Sequence, residues 1–426
     1  MAGGGNGGGA GKSGGGAGNS DGGAGNGGTG SSAAGGLRFH WRLPLAGEEP
    51  AAAGAAPGSP GSTAASAAAG AGSQAALRAA AGLAAPPGTP ARALPDFASH
   101  LEFCRLAEEH GIDSLLMACG FYMPDPVPLV AALGTATRRI RFMLAYRSGL
   151  ISPTAFVQQV NTLAAITGGR VCLNMVVGHS QEEQRSYGDF LAHDERYQRS
   201  DEFLAICRAF WNGAQPVDFA GTYFRIEGGR LATPFVCAER QAPEIYLGGG
   251  SPLARNIAAR HADCWLRLGD APAALREEVA AMRAQGVEVG VRLSLIARPT
   301  RDEAVAAAGA LLGAGDAGWV SQVFVSGSDS QSMRAAFARA ADASQWPTSY
   351  LWTGAVASRG ASAVCLVGTP AEIADGILEF RRIGVSQIIL SSWSNHEAVA
   401  YFGREILPLV RARERELAGD LAAGSK

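Results

Sequence analysis

Residues 37–46, LRFHWRLPLA, decide between two ways of building a parallel sheet. Leu37–Leu43 reads as the first strand of a chain in which short apolar runs alternate with amphipathic helical stretches, the pattern of βαβ units. An open, doubly wound sheet that binds a dinucleotide follows its first strand with GxGxxG, whose glycines let the backbone approach a pyrophosphate. Pro44, Leu45 and Ala46 stand there instead, and a low-complexity stretch follows them. The fold class expected is therefore α/β, a TIM-type (β/α)8 barrel. The stretch after strand 1 then belongs to a loop at the C-terminal face of the barrel.

Downstream, the remaining strands are expected at Asp113–Ala118, Ile140–Tyr146, Val171–Val177, Glu244–Leu247, Asp263–Leu268, Val291–Ala297 and Gln387–Ser391. A helix is expected over 96–110, where Leu101, Cys104, Leu106 and Ala107 share one face. Others are expected over 153–166, 197–211, 301–312, 370–383 and 397–413. Ser180 with Glu183 fits a capping box, which places a short helix in the polar loop 178–195. Residues 217–228, VDFAGTYFRIEG, alternate and read as a small hairpin outside the barrel. Residues 313–360 carry a weak pattern and many small residues, which predicts a long mobile lid. Insertions are thus expected after strands 1, 4 and 7.

Two stretches lack the apolar surface needed to offset their ordering entropy. Residues 1–36 are nearly all Gly, Ala, Ser and Asn, and are expected to be a disordered tail. Residues 47–93 have a similar composition and form the insertion after strand 1. The barrel domain then spans 37–413, with 414–426 a C-terminal tail. Deleting 1–36 is expected to leave the melting temperature unchanged, because nothing there can join a core. Shortening 47–93 should also be tolerated, since loop-closure cost grows slowly with length. A large drop in melting temperature for the tail deletion would overturn the first expectation.

The net charge is −2 and no basic run stands out, which argues against nucleic acid as a partner. The seven cysteines are scattered and form no CxxC pair, so neither a zinc site nor a disulfide framework is signalled. A cytoplasmic location is expected, with no secretory h-region and no apolar run long enough to span a bilayer.

The sharpest local signal for a site is Gly248-Gly249-Gly250-Ser251-Pro252 after strand 5. Ser251 suits an N-cap and Pro252 the first helical position, so the turn opens a helix whose N-terminus can receive a phosphate. An ordinary strand-to-helix turn would use the same residues. His193 and Tyr197, four apart, share a helix face and can offer an imidazole and a phenol to a ligand; a solvated helix start with a packed tyrosine is the plainer reading. Asn174 in an otherwise apolar strand needs partners, either in the core or on a ligand. Cys119 ends strand 2 at the face where barrel sites form, with a small buried hydrophobe as its alternative. No neighbouring cation in the sequence argues for an activated thiol. Arg147, Arg292 and Arg359 are the notable cations, because an arginine inside a barrel strand is rarely structural unless paired. Trp41, Tyr122 and Trp393 can wall a pocket with aromatic surface or simply fill the core.

With these pieces in place the chain resembles the two-component alkanesulfonate monooxygenases of the bacterial-luciferase superfamily. The resemblance rests on an ordered set: HWRLP (40–44), SPT (152–154), GGRVCLNMVVG (168–178), HDERY (193–197), VDFAG (217–221), YLGGGS (246–251), VRLSLIAR (291–298), YLWTG (350–354) and LVGTPAEIADGILEFRRIGVSQIILSS (366–392). It implies oxygenation of a small-molecule substrate by O2 and reduced FMN, the flavin being supplied by a separate NAD(P)H:FMN reductase, in a homo-oligomer. It implies that Cys119, Asn174, His193, Tyr197, Gly250 and Ser251 bind the cofactor. It also implies that Arg292, Arg359 and Trp393 are catalytic, with Arg359 on the lid. The chain departs from the pattern at four positions. Ala46 and Ser294 stand where the family carries histidines, Met123 where it carries a pocket cysteine and Trp393 where it carries a tyrosine. The flavin framework is thus retained and the substrate pocket altered. A deazaflavin (coenzyme F420)-dependent dehydrogenase and a non-catalytic flavin-binding barrel are the alternatives.

Overall fold

A computed structural model of the chain describes residues 35–44, 96–120, 123–312, 327–341 and 344–423, and the architecture lies within the unit Gly36–Lys426. The tail before Gly35, the insertion 47–93, Tyr122, Ala46 and the lid stretch 313–326 fall outside the described residues.

Eight parallel strands close into a barrel: β1 (Arg38–Arg42), β2 (Ser114–Met117), β3 (Arg141–Arg147), β4 (Val171–Val176), β7 (Glu244–Gly248), β8 (Cys264–Leu268), β9 (Glu288–Ala297) and β12 (Gln387–Ser391). Pairing of β1 with β12 through Phe39↔Ile388 and His40↔Ile389 completes the ring, leaving no free edge. The helices α1 (Phe97–Glu109), α2 (Pro126–Ala136), α3 (Pro153–Thr167), α5 (His193–Trp211), α6 (Pro252–His261), α7 (Pro272–Ala284) and α11 (Pro370–Arg382) connect successive strands. Of these, α2 and α7 had no counterpart in the sequence reading.

The strands sort their side chains by a period of two. Phe39, Trp41, Leu115, Met117, Phe142, Leu144, Leu173, Met175, Ile245, Leu247, Ile388 and Leu390 belong to the apolar layer shared with the helices. Leu116, Met143, Ala145, Cys172, Tyr246, Cys264 and Ile389, the alternate positions, form a separate cluster inside the barrel. By the same parity Arg38, His40, Asn174, Glu244, Glu288, Arg292 and Ser294 face inward. Trp41 is therefore a core residue and not a pocket wall. Its indole N–H donates to Asn395 Oδ1 at 2.9 Å and its ring packs on Phe402.

The N-terminal end of the barrel is closed by charge. Arg38 reaches Glu244 at 2.7 Å and Glu288 at 2.8 Å, and Arg141 reaches Glu244 at 3.1 Å. Above them, His40 lies between Ser114 Oγ, 2.7 Å away, and Gln387 Oε1, 2.8 Å away. The Gln387 amide nitrogen donates to Glu288, so its oxygen must accept from His40 Nε2. Burial pushes His40 down to about 4, which keeps the ring neutral at pH 7.

The excursion after β9 is more regular than its composition suggested. The short helix α8 (Arg301–Ala310) is followed, within the described residues, by α9 (Gln331–Ala340), β10 (Leu351–Trp352), α10 (Val356–Arg359) and β11 (Cys365–Gly368). β11 runs parallel to the far half of β9, Cys365↔Ser294 to Gly368↔Ala297, and β10 adds antiparallel to it. The last helix also continues: α12 (Asn395–Tyr401), a π-helical turn and α13 (Leu407–Ala423) replace a helix ending at Arg413 and a tail. Glu414 on α13 accepts from the Leu37 N–H at 2.6 Å, so this extension is tied to the start of β1. The hairpin β5 (Val217–Ala220) and β6 (Arg225–Gly229) stands apart from the barrel as a two-stranded sheet, and α4 (Gln181–Ser186) begins where Ser180 Oγ accepts from the Glu183 N–H. Among the described residues, no helix is long and apolar enough to cross a membrane.

Candidate active site at the barrel mouth

The turn after β7 carries out what its residues prescribe. Ser251 caps α6 by accepting from the Ala254 N–H at 3.1 Å, and Pro252 starts the helix. Gly249 has φ +133°, and a Cβ there would stand 2.5 Å from the Tyr197 hydroxyl. Glycine is thus required both by backbone conformation and by the phenol packed against it. Tyr197 is in turn 5.1 Å, ring to ring, from His193. The two segments nominated separately, His193 with Tyr197 and Gly250 with Ser251, are therefore neighbours. Burial pushes the Tyr197 phenol up to about 12, so it stays protonated and able to donate. His193 Nδ1 is engaged with Asp194 at 2.7 Å, leaving Nε2 for other contacts.

Around the mouth, Asn174 occupies the inward face of β4, 8% exposed, and its Oδ1 accepts no hydrogen bond. A buried acceptor left open in this way is a place for a ligand N–H. Cys119 lies at the end of β2, packed against the inner cluster. Burial pushes its thiol up to about 11, although Arg147 pulls the other way. A neighbouring cation does exist, contrary to the sequence reading, but it is held by Glu183 at 2.7 Å and does not activate the sulfur. Arg147 also stacks over Tyr187, 5.5 Å from its ring centre.

Two of the three residues nominated as catalytic meet directly. The Arg359 guanidinium lies over the Trp393 ring at 5.9 Å. Arg359 closes α10, whose Ala355 and Val356 are fully buried, so it sits in a packed helical turn and not in a structureless lid. Arg292 lies inside the barrel on β9, opposite Ile389. Two residues on, Ser294 Oγ donates to Ser362 O at 3.1 Å and is 3.2 Å from Ser391 Oγ. The chain leaving Arg359 thereby returns to β9.

Residues that sequence reasoning missed also belong here. Arg196, 2% exposed, donates to Val177 O at 3.2 Å and Leu191 O at 2.8 Å and pairs with Asp329 of the lid segment at 2.5 Å. It lay inside HDERY, but its partners are scattered along the chain. His179, between β4 and α4, is half-buried, and the resulting desolvation lowers its pKa despite the nearby Glu183 carboxylate.

The family model described as luciferase-like monooxygenase matches residues 65–387. Solved structures of similar fold include the EDTA monooxygenase from Chelativorans sp. BNC1 (18% identical, 75% of this chain and 87% of that chain, TM-score 0.59). A type II Baeyer-Villiger monooxygenase, the oxygenating constituent of 3,6-diketocamphane monooxygenase from Pseudomonas putida, was solved in complex with FMN. It is 20% identical over 76% of this chain and 95% of that one, with a TM-score of 0.56. An F420-dependent secondary alcohol dehydrogenase, in complex with an F420-acetone adduct, is 19% identical over 74% and 96%, with a TM-score of 0.57. At these identities the likeness is one of fold.

Proposed function

The chain belongs to the luciferase-like monooxygenase family, and from that premise we propose that it is a monooxygenase of a small organic molecule that uses O2 and reduced FMN delivered by a separate NAD(P)H-dependent reductase. The observation that carries the reading is the cradle made by Gly249, Gly250, Ser251 and Tyr197 at the mouth of the barrel. Its backbone N–H groups and the positive end of α6 suit a phosphate, and the open Asn174 Oδ1 suits a ring N–H deeper in the barrel. Cys119 offers apolar surface beside it.

Bound reduced FMN supplies the electrons that activate O2, one oxygen atom passing to substrate and the other to water. The protein's part is positional and electrostatic. Arg292, fixed on a strand, and Arg359, fixed on Trp393, place cations where negative charge gathers on substrate or oxygen. The lid segment shields that chemistry from water. Ser294 presents a small hydroxyl where the alkanesulfonate monooxygenases carry a histidine, which favours an alkanesulfonate-type or related substrate of different shape.

Anaerobic fluorimetric titration tests the cofactor. Reduced FMN is expected to bind more tightly than oxidised FMN, and NAD(P)H not at all; tight NAD(P)H binding with no flavin affinity would overturn the reading. A screen of organosulfur and carbonyl compounds with FMN, NAD(P)H, a generic flavin reductase and O2 then seeks the substrate. Turnover with a deazaflavin and no O2 consumption would assign a dehydrogenase instead. Arg292→Ala is expected to weaken substrate binding and turnover together while reduced FMN still binds.

A further inference from the structure

Gly250 is surrounded by groups that its flanking sequence does not announce. A Cβ at this position would stand 2.6 Å from Arg267 Nη1 and 2.6 Å from Ser332 Oγ. Arg267 comes from the end of β8 and Ser332 from the first turn of α9, in the segment after β9. The guanidinium is fixed on three sides. Nε and Nη2 hold Glu278 at 3.0 and 2.9 Å, and Nη1 donates to Ser332 Oγ at 3.1 Å. The plane lies over the Trp265 ring at 5.3 Å, and the Trp265 indole N–H donates to Gly249 O at 2.9 Å. Nη1 carries two hydrogens, and Ser332 takes one of them.

A second observation points to a ligand at the same place. Tyr197 is 5% exposed, its hydroxyl lies against Gly249, and it makes no hydrogen bond to another described residue. A phenol so placed is a donor in search of an acceptor. Together with the ten-residue helix α6, whose first N–H groups open onto the same turn, the cluster offers donors from α5, α6, β8 and α9 to one point.

Resting on the flavin reading above, we propose that Arg267 and Ser332 are phosphate-binding residues, so that the barrel and the lid segment jointly hold the phosphate monoester of the cofactor. Glu278 keeps the Arg267 charge compensated before the anion arrives, and the missing Cβ of Gly250 lets Arg267 and Ser332 come close to the turn. The segment bearing Ser332 is anchored independently, by Arg339 to Asp270 at 3.0 Å and by Asp329 to Arg196 at 2.5 Å. Phosphate occupancy and the placing of α9 are therefore linked through one side chain.

The test compares reduced FMN with reduced riboflavin, which lacks the phosphate, by anaerobic fluorimetric titration of the full chain. The wild type is expected to prefer FMN at least tenfold. Arg267→Gln is expected to cut FMN affinity by about ten- to a hundredfold, the worth of a charged hydrogen bond, while riboflavin affinity stays within about twofold. Ser332→Ala, which removes a single hydroxyl and cannot by itself unpack the barrel, should lower FMN affinity a few-fold with the same selectivity. Inorganic phosphate should compete with FMN in the wild type and less in Arg267→Gln. If Arg267→Gln and Ser332→Ala leave the FMN-to-riboflavin ratio unchanged, or weaken both ligands equally, the assignment falls and the flavin reading stands. If the wild type binds neither flavin, the flavin reading itself falls and takes this assignment with it.

Discussion

Arg359→Lys is expected to leave affinity for reduced FMN nearly unchanged and to lower product formed per flavin oxidised by on the order of a hundredfold, with hydrogen peroxide rising in its place. The cation sits over Trp393 at 5.9 Å, at the end of α10, whereas the Gly249–Ser251 cradle follows β7. Lysine keeps the charge but loses the planar fork, and with it both the stacking on the indole and the bidentate donation. Charge developing on oxygen or substrate would then be met by a mobile ammonium carrying its own water, and water diverts the activated oxygen to peroxide. Peroxide and product yields measured side by side decide the matter. Normal coupling in Arg359→Lys would remove Arg359 from the reaction, and unchanged turnover in both Arg359→Lys and Arg292→Ala would put the reaction elsewhere in the molecule; only the absence of any turnover would leave a flavin-binding barrel.

Glu244→Gln should cost about 3–5 kcal/mol of stability at pH 7, because it strips the shared partner from two arginines at the closed end of the barrel. Burial alone would raise the Glu244 carboxyl, but Arg38 and Arg141 outweigh it and hold the group at about 2. A carboxylate whose pKa is depressed in the folded state stabilises fully above its unfolded value of about 4.5 and loses that contribution as pH falls toward 2. His40 acts in the same sense from a higher starting point, since its pKa falls from 6.5 to about 4 on folding. The wild type should therefore weaken in two stages below pH 6.5, and Glu244→Gln should lack the lower one. Urea midpoints at pH 7, 5 and 3 would show it, and equal stability of the two proteins at pH 7 would count against the ion cluster as a structural lock.

Much of this molecule was legible from local rules. The strand and helix order, the Ser180 N-cap and the Ser251–Pro252 helix start each depend on residues within a few positions of one another, and each is present; of the capping box expected at Ser180 and Glu183, the Glu183 carboxylate pairs with Arg147. His193 and Tyr197 share a face because four residues make about one helical turn. The misses have identifiable causes. Trp41 stayed open between pocket wall and core, and the inward parity of His40 and Arg42 on β1 decides for the core. α9 was overlooked because Ala336 is its one fully buried residue, too little to set a periodicity. β11 was not assigned, being four residues long and running straight into the cap of α11.

The sequence by itself determined a closed parallel barrel, the helix start that faces its mouth and the residue types available there, because backbone propensity, capping and the period of two act over short separations. Only the tertiary structure decided which charges meet. Arg147 was committed to Glu183, Arg359 to Trp393 and Arg267 to a serine 65 residues away. Those pairings depend on which strand ends closure of the sheet brings together. Coulomb and hydrogen-bond energies are decided over a few ångströms in space, whatever the separation along the chain.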